Sequence, residues 1–134
     1  MILSKTPFRV SLFGGGTDYP AWFEAHGGAV IGFAIDKYCY VSIRELPPFF
    51  EHKSRIVYSK IEAVQSVAEI EHPVVRGILA DMGVHQGVEI HHDGDLPAWS
   101  GIGSSSSFCV GMMNAVSHMT GRALNQGGLA REAI

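Results

Sequence analysis

Residues 97–107 hold the densest run of ligand-binding potential in the chain: Pro97, Ala98, Trp99, Ser100, Gly101, Ile102 and Gly103, then four serines from Ser104 to Ser107. Two closely spaced glycines let a backbone turn sharply and approach a ligand closely. An apolar run follows, so the serines should open a helix. A helix start presents unpaired N–H groups and the positive end of its dipole. Serine hydroxyls add short, rotatable hydrogen-bonding groups. Together these suit an anion, phosphate above all. No Gly-Lys-Ser/Thr follows, so this is not a Walker A loop, and charge neutralisation must come from a metal ion, the helix end or another segment. The competing reading is a glycine turn whose serines cap a core helix. One cap would suffice and serine is a modest helix former, so a run of four points beyond capping.

A second cluster, Gly14-Gly15-Gly16-Thr17-Asp18-Tyr19-Pro20, follows a strand-like run. A glycine-rich loop with one carboxylate suits close contact with a polyhydroxyl ligand, the carboxylate accepting from two hydroxyls. An Asx-type turn explains the same residues without a ligand.

Other chemistries fail on spacing. A dinucleotide fingerprint would need glycine at 106 or 19, where Ser106 and Tyr19 stand, and this argues against a Rossmann dehydrogenase. A Gly-x-Ser-x-Gly elbow fails around Ser105, whose outer neighbours are Gly103 and Ser107. The seven histidines include no helical i,i+4 pair, and His91 and His92, adjacent on a strand, point to opposite faces. No metal-ligating histidine set is expected. Met82, Met112, Met113 and Met119 fit helix core positions. Cys39 and Cys109 lie in apolar runs without CxxC spacing and read as buried, reduced thiols. Lys5, Lys37, Lys53 and Lys60 form no patch.

The elements that must position these loops follow from periodicity. Residues 8–13 alternate as a strand. Residues 21–25 suit one helical turn. Two further strand runs appear at Ala29–Ile35 and Tyr38–Arg44, separated by Asp36-Lys37, and a short one at Arg55–Ser59. Residues 61–71 carry no clear period. A helix is expected over 73–82, with Pro73 at its first turn, Val74, Val75, Ile78, Leu79 and Met82 on one face, and Gly83 beyond its end. Val88–His92 reads as a strand entering an Asp93-Gly94-Asp95 turn, and Ser104–Met119 as a long helix closed by Gly121. Residues 129–134 begin a helix that has no cap or breaker, which argues for a chain that continues. The pattern gives an α+β class, one sheet layer with helices.

Composition bounds the rest. The chain has 134 residues, 10 Lys+Arg against 13 Asp+Glu, and a formal charge of −3. That is one domain or a large part of one. With 46% hydrophobic and 17% charged residues, disorder is not expected. The mild acidity gives no case for nucleic-acid or membrane-surface binding, and no apolar stretch approaches the roughly 20 residues of a membrane span. With no signal-peptide pattern at Met1–Lys5, a cytoplasmic location is expected. The 16 glycines are about 12% of the chain against a usual level of about 7%.

Taken together, the two loops resemble the GHMP kinases (galactokinase, homoserine kinase, mevalonate kinase, phosphomevalonate kinase). Pro97 to Ser105 is similar to their second motif, Pro-x-x-x-Gly-Leu-Gly-Ser-Ser, with Ile102 for leucine. Pro7-Phe8-Arg9-Val10 is similar to their first, Pro-x-Arg/Lys-Val. The run from Phe8 to Pro20, with Ala34-Ile35-Asp36-Lys37-Tyr38 downstream, most resembles the branch acting on D-glycero-D-manno-heptose 7-phosphate or related sugars. Galactokinases carry Gly-Glu-His-Thr-Asp-Tyr where Gly14–Tyr19 stands here, and the missing Glu-His pair argues against galactose.

The resemblance implies a GHMP N-terminal fold, a mixed β-sheet backed by helices with an unusual left-handed crossover. It implies an ATP- and Mg²⁺-dependent kinase that transfers the γ-phosphoryl to a hydroxyl of a small-molecule sugar or sugar phosphate. Gly101, Gly103, Ser104, Ser105 and Ser106 would hold the ATP phosphates, with Ser105 contacting Mg²⁺. Arg9 would stabilise the transferring phosphoryl group. Gly14, Gly15, Gly16, Thr17 and Asp18 would bind substrate, and Asp36–Tyr38 and Trp99 would lie on the nucleotide side. The resemblance further implies a catalytic Asp and a C-terminal domain beyond residue 134, so that residues 1–134 are an incomplete N-terminal ATP-binding domain, inactive alone. A non-catalytic nucleotide- or sugar-binding module is the alternative. The oligomeric state stays open, a homodimer included.

Overall fold

A computed structural model describes residues 1–97 and 101–133. Five strands form one mixed sheet in the order β1-β2-β5-β3-β4. Strand β1 (Ile2–Phe13) runs antiparallel to β2 (Ile31–Glu45), and β2 antiparallel to β5 (Val88–Gly94). Strands β3 (Ser54–Val57) and β4 (Ile61–Val64) form a hairpin, and β3 lies parallel to β5. The fold is the mixed sheet backed by helices that the motifs led us to expect.

Helix α1 (Pro20–His26) links β1 to β2. Helices α2 (Pro73–Asp81) and α3 (Ser104–Met119) share one core with the sheet. Phe8, Cys39, Val41, Ile43, Ile56 and Ile90 meet Val75, Ile78 and Leu79 of α2 and Phe108, Met112, Met113 and Val116 of α3. Met82 and Met119 pack at its margin. The methionines and the apolar face of α2 thus take the places their spacing predicts. Burial pushes the Cys39 thiol up to about 11, which keeps it unreactive. Cys109 is also a free thiol, half-buried rather than fully buried.

Several boundaries differ from expectation for physical reasons. Strand β1 starts at Ile2, six residues before the apolar alternation becomes visible, because its inward positions there include Ser4 and Thr6. The two runs flanking Asp36-Lys37 form one strand, β2. The mismatch is absorbed in its register against β1, where Pro7 pairs with Tyr38 and Arg9 already pairs with Ala34. The segment without a period contains β4 and a short 3₁₀ turn at Val67–Glu69. Helix α4 spans Gln126–Glu132, beginning ahead of Leu129 because the Asn125 side chain accepts the Gly128 N–H at 2.8 Å. Its last turn closes with the Ala133 N–H donating to the Leu129 carbonyl at 3.1 Å.

On the opposite sheet face, Glu89 of β5 is buried beneath Arg44 and Arg55, with the Arg55 contact at 3.0 Å, and His91 lies 3.4 Å away. His91 and His92 therefore do face opposite sides of the sheet, as their adjacency requires.

Candidate functional site: a helix start beside a ring-lined cavity

Helix α3 begins without a side-chain cap. Its N-cap is Gly103 at φ 72°, ψ 33°, a left-handed conformation that favours glycine. Space is tight there as well: a β-carbon would lie 3.1 Å from both Arg9 Cγ and Ser106 Oγ, and those side chains would have to give way. The first intrahelical bond runs from Ser107 N–H to the Gly103 carbonyl at 2.9 Å, leaving the N–H groups of Ser104, Ser105 and Ser106 without helical acceptors.

The four serines divide their work. Ser107 is buried, and its hydroxyl donates to the Pro7 carbonyl at 3.0 Å, tying α3 to β1. The Ser106 hydroxyl folds back on the Gly103 carbonyl at 3.0 Å. Ser104 and Ser105 make no side-chain hydrogen bond among the described residues and line a cavity of about 280 Å³. The loop is anchored from the other side by Arg9, whose N–H donates to the Ile102 carbonyl at 3.1 Å and whose side chain lies against Gly103. Arg9 and the glycine-serine loop, about 90 residues apart in sequence, are thus neighbours. Trp99 lies outside the described residues. Of the residues expected beside it, Tyr38 is joined to the segment leading into the loop. Its N–H donates to Asp95 Oδ2 at 2.8 Å, and the Asp95 N–H donates back to its carbonyl at 3.0 Å.

The cavity is walled by Tyr58, Ser59, His72, Val74, His92 and Phe108 as well as the two serines. A second space of about 290 Å³ continues from it, sharing Tyr58, Ser59, His92 and Ser104 and adding Phe8 and Leu96. The rings support one another. His72 and His92 flank Phe108 at centroid distances of 5.0 and 4.6 Å, and Tyr58 meets His72 edge-on at 5.0 Å.

Glu62 fixes this wall from behind. It is buried, and it accepts from the Tyr58 hydroxyl at 2.8 Å, the Glu71 N–H at 2.6 Å and the His72 N–H at 3.2 Å. Burial pushes its carboxyl up, but the Glu71 N–H, the Tyr58 hydroxyl and the His72 N–H overcome that and hold it below the usual carboxylate range. Burial, then the bond to Glu62, raises Tyr58 to about 12. His72 also caps α2, its Nδ1 accepting the Val75 N–H at 3.4 Å. Burial lowers His72. It lowers His92 too, with His72 adding to the effect and Asp93 opposing it, so both imidazoles favour the neutral form. Sequence reasoning excluded only a metal-ligating histidine set and did not bring these two together. The available signals were His72 directly before the helix-starting Pro73 and His92 on the helix-facing side of β5.

The first glycine loop stands apart. Gly15–Thr17 form one 3₁₀ turn with Gly14 at φ 92°. A β-carbon on Gly14 would sit 1.9 Å from the Ala29 carbonyl oxygen, so only glycine fits. The Thr17 hydroxyl donates to the Gly14 carbonyl at 2.8 Å and accepts the Ala29 N–H at 3.3 Å. Thr17 therefore closes the loop, and Asp18 is its exposed carboxylate. Asp18 and Thr17 line a shallow space of about 330 Å³ with Phe23, Gly28, Ala29 and Val30. Among the described residues, no hydrogen bond or ion pair joins this loop to the helix start. None of the described residues forms a cluster of three or more metal-ligating His, Cys, Asp or Glu side chains, and no described helix is long and apolar enough to cross a membrane.

No curated protein sequence matches the chain. Among solved structures, a D-glycero-D-manno-heptose 1-phosphate kinase from Bacteroides thetaiotaomicron superposes with TM-score 0.82 at 25% identity, over 99% of this chain and 46% of that one. A mevalonate kinase from Methanococcus jannaschii gives 0.72 at 21% identity, over 98% and 44%. The Lactococcus lactis galactokinase, complexed with galactose, gives 0.69 at 19%, over 98% and 36%. The last two show likeness of fold alone, and the chain spans less than half the length of each of these proteins. The family model for the GHMP kinase N-terminal domain matches residues 59–134, a stretch that contains the helix start and most of the cavity wall. The chain belongs to the GHMP kinase family.

Proposed function

We propose that this domain binds ATP and serves a kinase that transfers the γ-phosphoryl group to a hydroxyl of a sugar or sugar phosphate. The observation that carries the reading is the uncapped start of α3, where three N–H groups and the Ser104 and Ser105 hydroxyls converge beside a ring-lined cavity. The N–H groups and hydroxyls would hold the polyphosphate, and the cavity would take the base. Apolar and aromatic walls with a few polar groups are the usual make-up of such a pocket.

Phosphoryl transfer depends on positioning and on electrostatic stabilisation of the equatorial oxygens. Arg9, held against Gly103, supports the role of a cation beside the transferring group. The donor set fits Mg²⁺ in the way small-molecule kinases use it: Ser105 offers one oxygen, and the substrate phosphates supply others. When bound, Mg²⁺ would neutralise charge on the phosphate oxygens.

Gly14–Asp18 would receive the acceptor, Asp18 binding hydroxyls within a loop that Thr17 holds closed. The heptose class, with D-glycero-D-manno-heptose 7-phosphate as acceptor, is supported by the Phe8–Pro20 run and by likeness to a protein named as a heptose 1-phosphate kinase. Residues 1–134 would then be the nucleotide-side part of a longer enzyme.

Calorimetric titration of the chain with Mg-ATP tests the central claim. Saturable binding that weakens at least about tenfold in Ser105→Ala or Arg9→Ala is expected, the scale of a lost charge-assisted contact. No binding, or binding indifferent to both changes, overturns it. Binding without phosphate transfer to any sugar phosphate by a chain extended to the family's full length favours a non-catalytic module.

A further inference from the structure

The cavity beside α3 is walled by four rings, and three of them either carry no polar atom or have one already engaged with the protein. Phe108 has none. The Tyr58 hydroxyl is spent on Glu62 at 2.8 Å. His72 commits Nδ1 to the Val75 N–H and keeps only Nε2, on a ring wedged between Tyr58 and Phe108. His92 differs. It is half-buried, and its ring is set by Phe108 at 4.6 Å and 54°. Its nitrogens make no hydrogen bond among the described residues. It lines both halves of the cavity, on the same walls as Ser104.

We infer that His92 is the specificity-determining residue of the cavity, hydrogen-bonding the edge of the ligand's heteroaromatic base while the rings around it pack on the base. This rests on the reading of the site as a nucleotide site. Burial favours the neutral imidazole, which offers one donor and one acceptor nitrogen. A purine edge carries both donors and acceptors, so either nitrogen of the ring can make one hydrogen bond to it. Neutrality also suits the position, since a cation here would face the base rather than the phosphates.

Two variants and two probes test the assignment. His92→Phe keeps a ring to pack on Phe108 and removes both nitrogens. His92→Gln restores a donor and an acceptor on a side chain of similar reach. Calorimetry of the full chain with Mg-ATP and with Mg-tripolyphosphate separates the base from the phosphates. Wild type should bind ATP more tightly than tripolyphosphate. In His92→Phe the ATP affinity should fall about tenfold, the scale of one hydrogen bond lost to a desolvated partner, with tripolyphosphate affinity unchanged. His92→Gln should recover most of the loss. In ¹⁵N spectra, the His92 ring signals should move with ATP and stay in place with tripolyphosphate.

Equal weakening of both probes by His92→Phe, or unchanged ATP affinity, overturns the assignment. If wild type binds tripolyphosphate as tightly as ATP, the cavity does not read a base and the inference fails while the phosphate reading stands. If it binds neither, the nucleotide reading itself has failed.

Discussion

The glycine-serine stretch at 101–107 and the loop at 14–18 are both rich in glycine and hydroxyl side chains and sit in opposite surroundings. The first is clamped from three sides: Arg9 bonds Ile102, Ser107 bonds Pro7, and α3 continues into Phe108, Met112 and Val116, all buried. The second lies on a hairpin arm in which no residue from 9 to 38 is buried. Leu12, Phe13, Tyr19, Trp22, Phe23, Val30, Ile31 and Phe33 stand exposed along that arm. Its shape is kept by local geometry, the left-handed Gly14 and the Thr17 bonds, rather than by a core. The contrast teaches that a glycine-rich loop can be given its shape in two ways. One borrows rigidity from the core, and the other depends on turn chemistry with little packing beneath it. The family model begins at residue 59 and so covers the first kind of loop and not the second.

The largest expected effects lie on the packed side. Leu79 and Met112 are fully buried at the junction of α2, α3 and the sheet. Leu79→Ala and Met112→Ala should each destabilise the chain by about 2–5 kcal/mol, the usual cost of a buried large-to-small change. Urea denaturation followed by circular dichroism measures this, with the slope of the transition unchanged. A loss under about 1 kcal/mol at both positions would mean that the core around α3 is loose, and the clamped loop would lose its foundation.

A smaller effect is expected behind the cavity wall, at Glu62. Its carboxyl is held below the usual range in the folded chain. The unfolded chain therefore takes up its proton first as pH falls. The stability contributed by ionised Glu62 is present above its unfolded value of about 4.5 and is lost as pH drops through the lower folded value. Glu62→Gln should cost about 1–3 kcal/mol near neutral pH, because an amide replaces an acceptor of three bonds. It should also flatten the acid limb of the stability profile below about pH 4.5. Wild-type and variant profiles that remain parallel down to about pH 3 would show that this carboxylate does not hold the wall.

Legibility in the sequence follows the same division, for physical reasons. Helix α3 was readable over its full length, Ser104–Met119, because one segment carries its start signal, its period and its closing glycine. The start of β1 was hidden because Ser4 and Thr6 face α3, which approaches so closely that a β-carbon at Gly111 would lie 2.8 Å from Thr6 Oγ1. Small polar residues thus occupy positions where alternation predicts apolar ones. Strand β4 was hidden because its buried residue is Glu62, a charge. The glycine-serine residues at the start of α3 announced themselves by local spacing. The ring wall did not, since Tyr58, His72, His92 and Phe108 come from four separate segments and meet only after the sheet has formed.

The smallest effects test the arm. Phe13 and Ile31 are cross-strand partners in its β-ladder, 71% and 61% exposed. Phe13→Ala and Ile31→Ala should each change global stability by under about 0.5 kcal/mol, since little apolar surface is lost from the folded state. The change should appear locally instead. Amide exchange over residues 10–33 should quicken as the cross-strand pair is removed, while exchange in α3 and β5 stays as in wild type. Such a split would place the arm and the core in separate cooperative units. A loss above about 1 kcal/mol with exchange quickened everywhere would instead join the arm to the core. The 14–18 loop would then owe its shape to the same packing as the start of α3.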